Sequence, residues 1–426
     1  MKILILNTVV CCPSSAYHGK TCDILVNDKL IEDIQSSSKK AFSASKGIKV
    51  FDAKGAFVST GWLDMRSNLC DPGFEYKEDI LSAANAAAAG GFTAVAALPS
   101  TLPVIQSKAE VEYLINKSST LPVSVIPFGC ISHNREGKEM AELFDMFKAG
   151  APAFTDANKP IAQASLMLRA LQYAKIFNGL IISHAEDTSL SAGTFMHEGF
   201  TSTNLGLKGN PNMSEELMVT RDIELAKYAE SRIHFAHISS KGSVEIIRKA
   251  KKQGVQVTCE VSVAHLCFTD ENLKDYDSNF KINPPLRGKE DRKALWEGLV
   301  DGTIDCIVSD HHPEDKEHKV VEFEYANKGM INLQTCYSLI NQYKPKTFSN
   351  ERLQEVLSSK PRQILGLSTL KIEKGADANL TIFNEEITWL YDEKSNLSRS
   401  QNSPLMGNTL KGKSLATVCK GNIYIQ

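Results

Sequence analysis

The sequence predicts an α/β fold: a (β/α)8 barrel of the TIM-barrel class, with a small β-sandwich built from the two chain ends. Three observations predict it. Eight short apolar runs of strand length alternate with helix-like segments between about residue 56 and residue 340. The ends of those runs carry the polar residues that barrel proteins place at one mouth. Both chain ends show strand-like runs without helical segments between them, too few at either end to make a stable sheet alone. A length of 426 residues allows a large core and more than one domain.

In chain order, Met1 to Val10 is short, is interrupted by Asn7 and lacks a clean cleavage site, so it reads as a first strand rather than a signal peptide. Further strand-like runs are Thr21 to Val26 and Ile48 to Phe51. The eight barrel runs are Trp62 to Met65, Thr93 to Leu98, Val123 to Cys130, Pro152 to Thr155, Leu180 to Ser183, Ile233 to His237, Val255 to Val261 and Asp305 to Ser309. Between them, Ile80 to Ala89 is Ala-rich and ends at Gly90-Gly91, Ile161 to Phe177 has an apolar stripe, and Ser214 to Ala229 opens with a cap-like Ser214. An open doubly wound sheet is the competing arrangement. After the barrel, Ala378 to Phe383, Ser414 to Cys419 and Ile423 to Ile425 are strand-like, and the polar stretch Tyr391 to Pro404 reads as a long surface loop. The expected domains are 1–55 plus 375–426 for the sandwich and 56–374 for the barrel.

Composition narrows the function classes. The net charge is -2, which offers no electrostatic footprint for nucleic acid or an anionic membrane. No run approaches the length of a membrane span. The ten cysteines form no Cys-x-x-Cys pair, and several sit in apolar runs such as Val257-Thr258-Cys259-Glu260-Val261. That is the pattern of reduced core cysteines, and the expected location is the cytoplasm.

Run four ends in Asp156, run five in His184, run six in His237 and run eight in Asp310-His311-His312. Two imidazoles and two carboxylates converging on one barrel mouth suit zinc or a similar divalent metal. Of the adjacent histidines, His311 and His312 must point to opposite sides. His265 and Asp64 read as structural. The run Glu314 to Lys319 reads as a solvated loop over the mouth, able to serve as a mobile lid.

The chain resembles the dihydroorotases of the cyclic amidohydrolase family over nearly its full length. The residues that carry the resemblance are Asp71-Pro72-Gly73-Phe74-Glu75-Tyr76-Lys77-Glu78-Asp79, Ala88-Ala89-Gly90-Gly91-Phe92-Thr93, Ser183-His184-Ala185-Glu186-Asp187, His234-Phe235-Ala236-His237-Ile238-Ser239, Asn283-Pro284-Pro285-Leu286-Arg287 and Ser309-Asp310-His311. The resemblance implies that Asp156 stands at the bridging position, His184 and His237 at the two later histidines, and Asp310 at the aspartate that binds metal and acts as general base. Asn283 matches a ring-contacting residue.

The departures are specific. Where the family's first strand ends in His-x-His-x-Arg, this chain has Arg66, Asn68 and Cys70. Arginine cannot ligate a metal near neutral pH, and an amide oxygen is a poor zinc ligand. The three positions that in the family hold the substrate carboxylate are Cys70, Ser100 and Glu314 here. Arg66 is expected to act as an internal cation facing both Asp156 and Asp310. Two readings follow. In one, the protein is impaired or inactive toward dihydroorotate and is a binding or scaffold partner, by family analogy of aspartate transcarbamoylase. In the other, it is an active hydrolase of a cyclic amide or imide with one metal, held by Asp156, His184 and His237, and with Asp310 as base. The cofactor is then zinc or another divalent ion at one site at most, or none. Self-association is expected for the fold.

Overall fold

The computed structural model describes residues 2–37 and 47–426. Eight parallel strands form the barrel: Trp62–Ser67, Phe92–Ala97, Ser124–Pro127, Ala153–Phe154, Leu180–Ser183, Ile233–Phe235, Val257–Ser262 and Cys306–Val308. Strand-to-strand pairing is continuous within strands one to three and within four to eight. Two isolated parallel bridges close the ring. Gly129 pairs with Phe154 between strands three and four, and Ser67 pairs with His311 between strands one and eight. The second closure includes Asn68 N–H donating to His311 O at 2.9 Å. It ties the end of the first strand to the end of the last, where the candidate site residues lie.

The barrel interior is filled by small and branched side chains from strands around the ring, among them Leu63, Met65, Ala94, Ala96, Phe128, Leu180, Ile182 and Val308. A larger apolar layer packs the outer helices on the strands. The Ala-rich helix Ile80–Gly90 shows how sequence sets this packing. Asp79 and Ser82 form a reciprocal capping box at its start, and Gly91 ends it at φ 94°. Its alanines are buried, so the helix lies close to the strands. A Cβ on Gly91 would come within 2.7 Å of the Trp62 ring.

The chain ends join, as expected, in one small β domain, whose eight strands are hydrogen-bonded as one mixed sheet. Its order is Asn422–Ile425, Asn408–Cys419, Leu380–Tyr391, Phe57–Thr60, Lys2–Val10, Thr21–Asn27 and Leu30–Ser36, with Ile48–Asp52 paired in parallel to Lys2–Val10. Phe57–Thr60 thus contributes to the terminal sheet, and the chain enters the barrel at Trp62. The sheet has its own core of Ile3, Ile5, Val26, Val58, Leu380, Ile382 and Val418. Phe383 stacks on Phe57 at 5.5 Å and leans on Trp62 at 5.3 Å, joining the sheet to the barrel.

Local readings shift in four places. The helix expected over Ile161 to Phe177 runs Ala164–Ile176. The next long helix, Met213–Ala229, begins after Asn212; Ser214 lies inside it and donates to Asn210 Oδ1 instead of capping. Tyr391 to Pro404 is not a solvated loop, because Ser398, Ser400, Asn402 and Ser403 are buried. Glu314 and Lys319 are buried as well, so the charged run after strand eight is anchored. In each buried case polar groups satisfy one another, which hydropathy alone does not register. Among the described residues no helix is long and apolar enough to cross a membrane. All ten cysteines are free and buried.

Candidate functional site

The barrel mouth brings together Arg66, Asn68, Asp156, His184, His237 and Asp310, each at or just past the end of a strand. His237 and Asp310 have positive φ, 31° and 49°. Non-glycine residues adopt this conformation rarely, and where they do the surrounding structure holds them there.

Arg66 is fully buried and donates through Nε to Asp310 Oδ1 at 2.9 Å. Its Nη2 donates to Asn158 Oδ1. Arg66 is therefore the internal cation expected at the first-metal position, but for one acid only. Asp156 is turned away from it. Its Oδ1 accepts from Ile131 N at 2.8 Å and Ser132 N at 3.0 Å, and its Oδ2 accepts from Ser132 Oγ. Three donors from one loop satisfy this carboxylate without a metal or a guanidinium. Burial raises the Asp156 carboxyl above its usual range against those hydrogen bonds.

His184, His237 and Asp310 form a chain that continues to Glu186. His237 Nδ1 lies 3.0 Å from Asp310 Oδ2, His237 Nε2 lies 2.9 Å from His184 Nδ1, and His184 Nε2 lies 3.1 Å from Glu186 Oε2. Burial, and secondarily the Arg66 charge, push the His237 imidazole down to about 3, so it is neutral near pH 7. Burial opposes charge on Asp310, but His237 and Arg66 outweigh it and hold the carboxyl well below its usual range. Glu186 is lowered too, since His184 and Lys328 outweigh its burial. Each ionised carboxylate can only accept, so each draws an N–H from the outer nitrogen of its histidine. The neutral His237 ring then presents the lone pair of its Nε2 to His184 Nδ1, 2.9 Å away.

This observation tests the metal that the fold implies. The facing nitrogens, His184 Nδ1 and His237 Nε2, are the pair that would hold one ion, but at 2.9 Å they stand closer than the roughly 3.3 Å between two nitrogens of a tetrahedral zinc shell and would have to part to admit it. A two-ion centre does not fit, because Arg66, buried at the mouth, is itself a cation and cannot ligate. Among the described residues no group of three or more His, Cys, Asp or Glu side chains is arranged around one ion position. The four expected ligands therefore do not form a single shell. Asp156 is held by its own loop, and Asp310 by Arg66 and His237.

The three positions that the resemblance matches to carboxylate anchors are each closed by neighbouring groups. Ser100 donates to Asn68 Oδ1, and Cys70 is buried with its thiol pushed up by desolvation. Glu314 accepts from Lys77 Nζ at 2.8 Å and Asn327 Nδ2 at 3.0 Å. These partners and His312 hold its carboxyl low despite burial. Asn283 Nδ2 donates to Glu186 Oε2 at 3.2 Å and lies 3.3 Å from His184 Nε2, while its Oδ1 accepts from Lys328 Nζ at 3.1 Å.

Sequence reasoning missed Asn158, Ser132, Glu186, Lys77 and Lys328. Glu186 and Lys77 lie inside motif segments, so their positions were visible but their partners were not. His312 turns to the mouth while His311 donates to Glu78 Oε2 at 3.2 Å and accepts from Asn332 N, as alternation requires. His265 is structural, between Ser262 and the Pro284 carbonyl. Asp64 is structural as well, accepting from Ser309 N and Oγ, and burial raises it to about 7. A cleft of about 820 Å³ outside the barrel, bordered by Arg292, Trp296 and Tyr343, contains none of this chemistry.

The fold superposes on those of hydantoinase and dihydropyrimidinase barrels. L-Hydantoinase (dihydropyrimidinase) from Arthrobacter aurescens superposes with a TM-score of 0.85 at 25% identity, covering 100% of this chain and 96% of that one. Dihydropyrimidinase from Brevibacillus agri gives 0.81 at 19% identity over 100% and 95%, a likeness of fold alone. Residues 55–243 match the family described as Dihydro-orotase-like. Proteins named Dihydroorotase from Syntrophus aciditrophicus and Acetivibrio thermocellus are 41% and 42% identical. The first alignment covers 100% of both chains, the second 95% of this chain and 94% of the relative. The chain belongs to the dihydroorotase-like family of cyclic amidohydrolases.

Proposed function

We propose that this protein is an amidohydrolase acting on the C–N bond of a cyclic amide or imide, with one divalent ion at most. The observation that carries this is the carboxylate–histidine–histidine–carboxylate chain at the barrel mouth, whose two imidazoles are the ones a single cation would use. Full-length similarity to relatives named Dihydroorotase also favours a hydrolase over a purely structural protein. His184 and His237 would hold the divalent ion, which would supply an acidified water and polarise the ring carbonyl. Asn283 orients the ring through its amide. Asp310 is ionised and accepts the proton of the attacking water at its carboxylate; because Arg66 and His237 hold that carboxyl low, it is a weak base and turnover is slow. With Cys70, Ser100 and Glu314 in the anchoring positions, dihydroorotate loses the family's carboxylate contacts.

A second reading is favoured by the Arg66–Asp310 pair: a barrel whose internal cation replaces metal, impaired toward dihydroorotate and serving as a scaffold for aspartate transcarbamoylase. Metal content of protein grown with added zinc separates the two, together with ring opening of dihydroorotate, dihydrouracil and hydantoin. About one ion per chain, with turnover lost in Asp310→Ala, supports the hydrolase. Metal-free protein that opens none of these rings sinks it, and co-elution with aspartate transcarbamoylase would then support the scaffold.

A further inference from the structure

Three cations in and around the mouth differ in how their charge is used. Arg66 is paired with Asp310 and Lys77 with Glu314. Lys328 has no carboxylate oxygen within 4.0 Å among the described residues; its one hydrogen bond is to the neutral amide oxygen of Asn283, at 3.1 Å. An ammonium has three donors, so two remain for a ligand. Lys328 is half-buried and is joined through Asn283 to Glu186, beside the edge of the His184 ring. Nearby Glu186 is engaged by His184 and Asn283, and Arg287 adds positive potential at the same place. The adjacent Asn327 points elsewhere, to Glu314. One short segment thus turns Asn327 toward Glu314 and sets Lys328, whose neighbouring carboxylate Glu186 lies outside ion-pair distance, beside the amide of Asn283.

We propose that Lys328 is a relocated anion anchor, so that the mouth takes a cyclic amide or imide bearing a carboxylate, held by the Lys328 ammonium beside Asn283 instead of by positions 70, 100 and 314. This rests on the reading of the mouth as a cyclic-amide site. A buried or half-buried ammonium–carboxylate contact is a charge-assisted hydrogen bond that an uncharged ring cannot make.

The test is calorimetric titration of the full chain with two probes of the same ring, dihydroorotate with the carboxylate and dihydrouracil without it. The expected result is tighter binding of dihydroorotate by about tenfold or more, about 1.4 kcal/mol. In Lys328→Met the preference falls below about twofold, with dihydrouracil affinity kept; Lys328→Arg restores it. Equal binding of both rings by the unmodified protein, or a preference that survives in Lys328→Met, overturns the proposal while leaving the cyclic-amide reading intact. Binding of neither ring overturns both. The two-ring comparison needs no variant, so the proposal stays testable if Lys328→Met does not fold.

Discussion

Arg66 and Asp310 decide the chemistry of the mouth because they are a buried pair at 2.9 Å. Removing one partner of such a pair strands the other charge, at a cost of about 3–5 kcal/mol. Arg66→Met should lower unfolding stability by that order at pH 7, measured by denaturant titration. The pH dependence follows from Asp310. Its folded carboxyl is held below the usual range, so it adds stability above roughly pH 4, where the unfolded carboxyl is ionised, and that stability fades as pH falls through the lower folded value. The deficit of Arg66→Met should therefore shrink below about pH 4. A deficit independent of pH would mean that packing, not charge, holds Arg66. The residue identities at this site could be read from sequence, since strand-end spacing places Arg66, His184, His237 and Asp310 together. The orientation of Asp156 could not. It depends on Ile131 and Ser132, whose backbone donors carry no residue-type signature.

At the scale of elements, the barrel depends on close approach between its first helix and first strand. Gly91 ends the helix in the left-handed region and sits against Trp62. Gly91→Ala should cost more than about 1 kcal/mol in backbone strain alone, with the clash against the Trp62 ring added to it. Thermal unfolding followed by Trp fluorescence checks this, and an unchanged melting temperature would refute it. The eight barrel strands were legible because each is an apolar run bounded by turn residues, as in Leu180–Ser183. Their lengths were less so: Ala153–Phe154 is a two-residue strand inside the run Pro152 to Thr155. The cap at Ser214 failed for a related reason. A tertiary partner, Asn210, takes the hydroxyl that local pattern assigned to the helix start.

At the scale of the whole molecule, residues 392–404 link the terminal sheet to the barrel mouth. This segment follows the sheet strand Leu380–Tyr391 and crosses to the loop after strand one. There Ser398 Oγ and Arg399 N donate to Glu78, and Ser400 Oγ donates to Lys77 O. Asn402 then bridges to the loop after strand eight, donating to His312 O at 2.9 Å and accepting from Glu314 N at 3.1 Å. Glu78 also accepts from His311, so one buried carboxylate joins the sheet segment, the first-strand loop and the last barrel strand. Removing it leaves several buried donors unsatisfied, at about 1–3 kcal/mol for each such group. Glu78→Ala should free the segment before the barrel itself opens, because residues 392–404 contribute to neither apolar core. Trypsin provides the measurement, since Arg399 lies in the segment with its side chain half-exposed. Cleavage after Arg399 should accelerate strongly in Glu78→Ala while cleavage in the barrel helices does not. Parallel acceleration at all sites would instead show that the segment and barrel unfold as one unit. The same variant should weaken binding at the mouth without touching any ligand-facing side chain, because Glu314, Asn327 and Lys328 belong to the stretch that Asn402 secures.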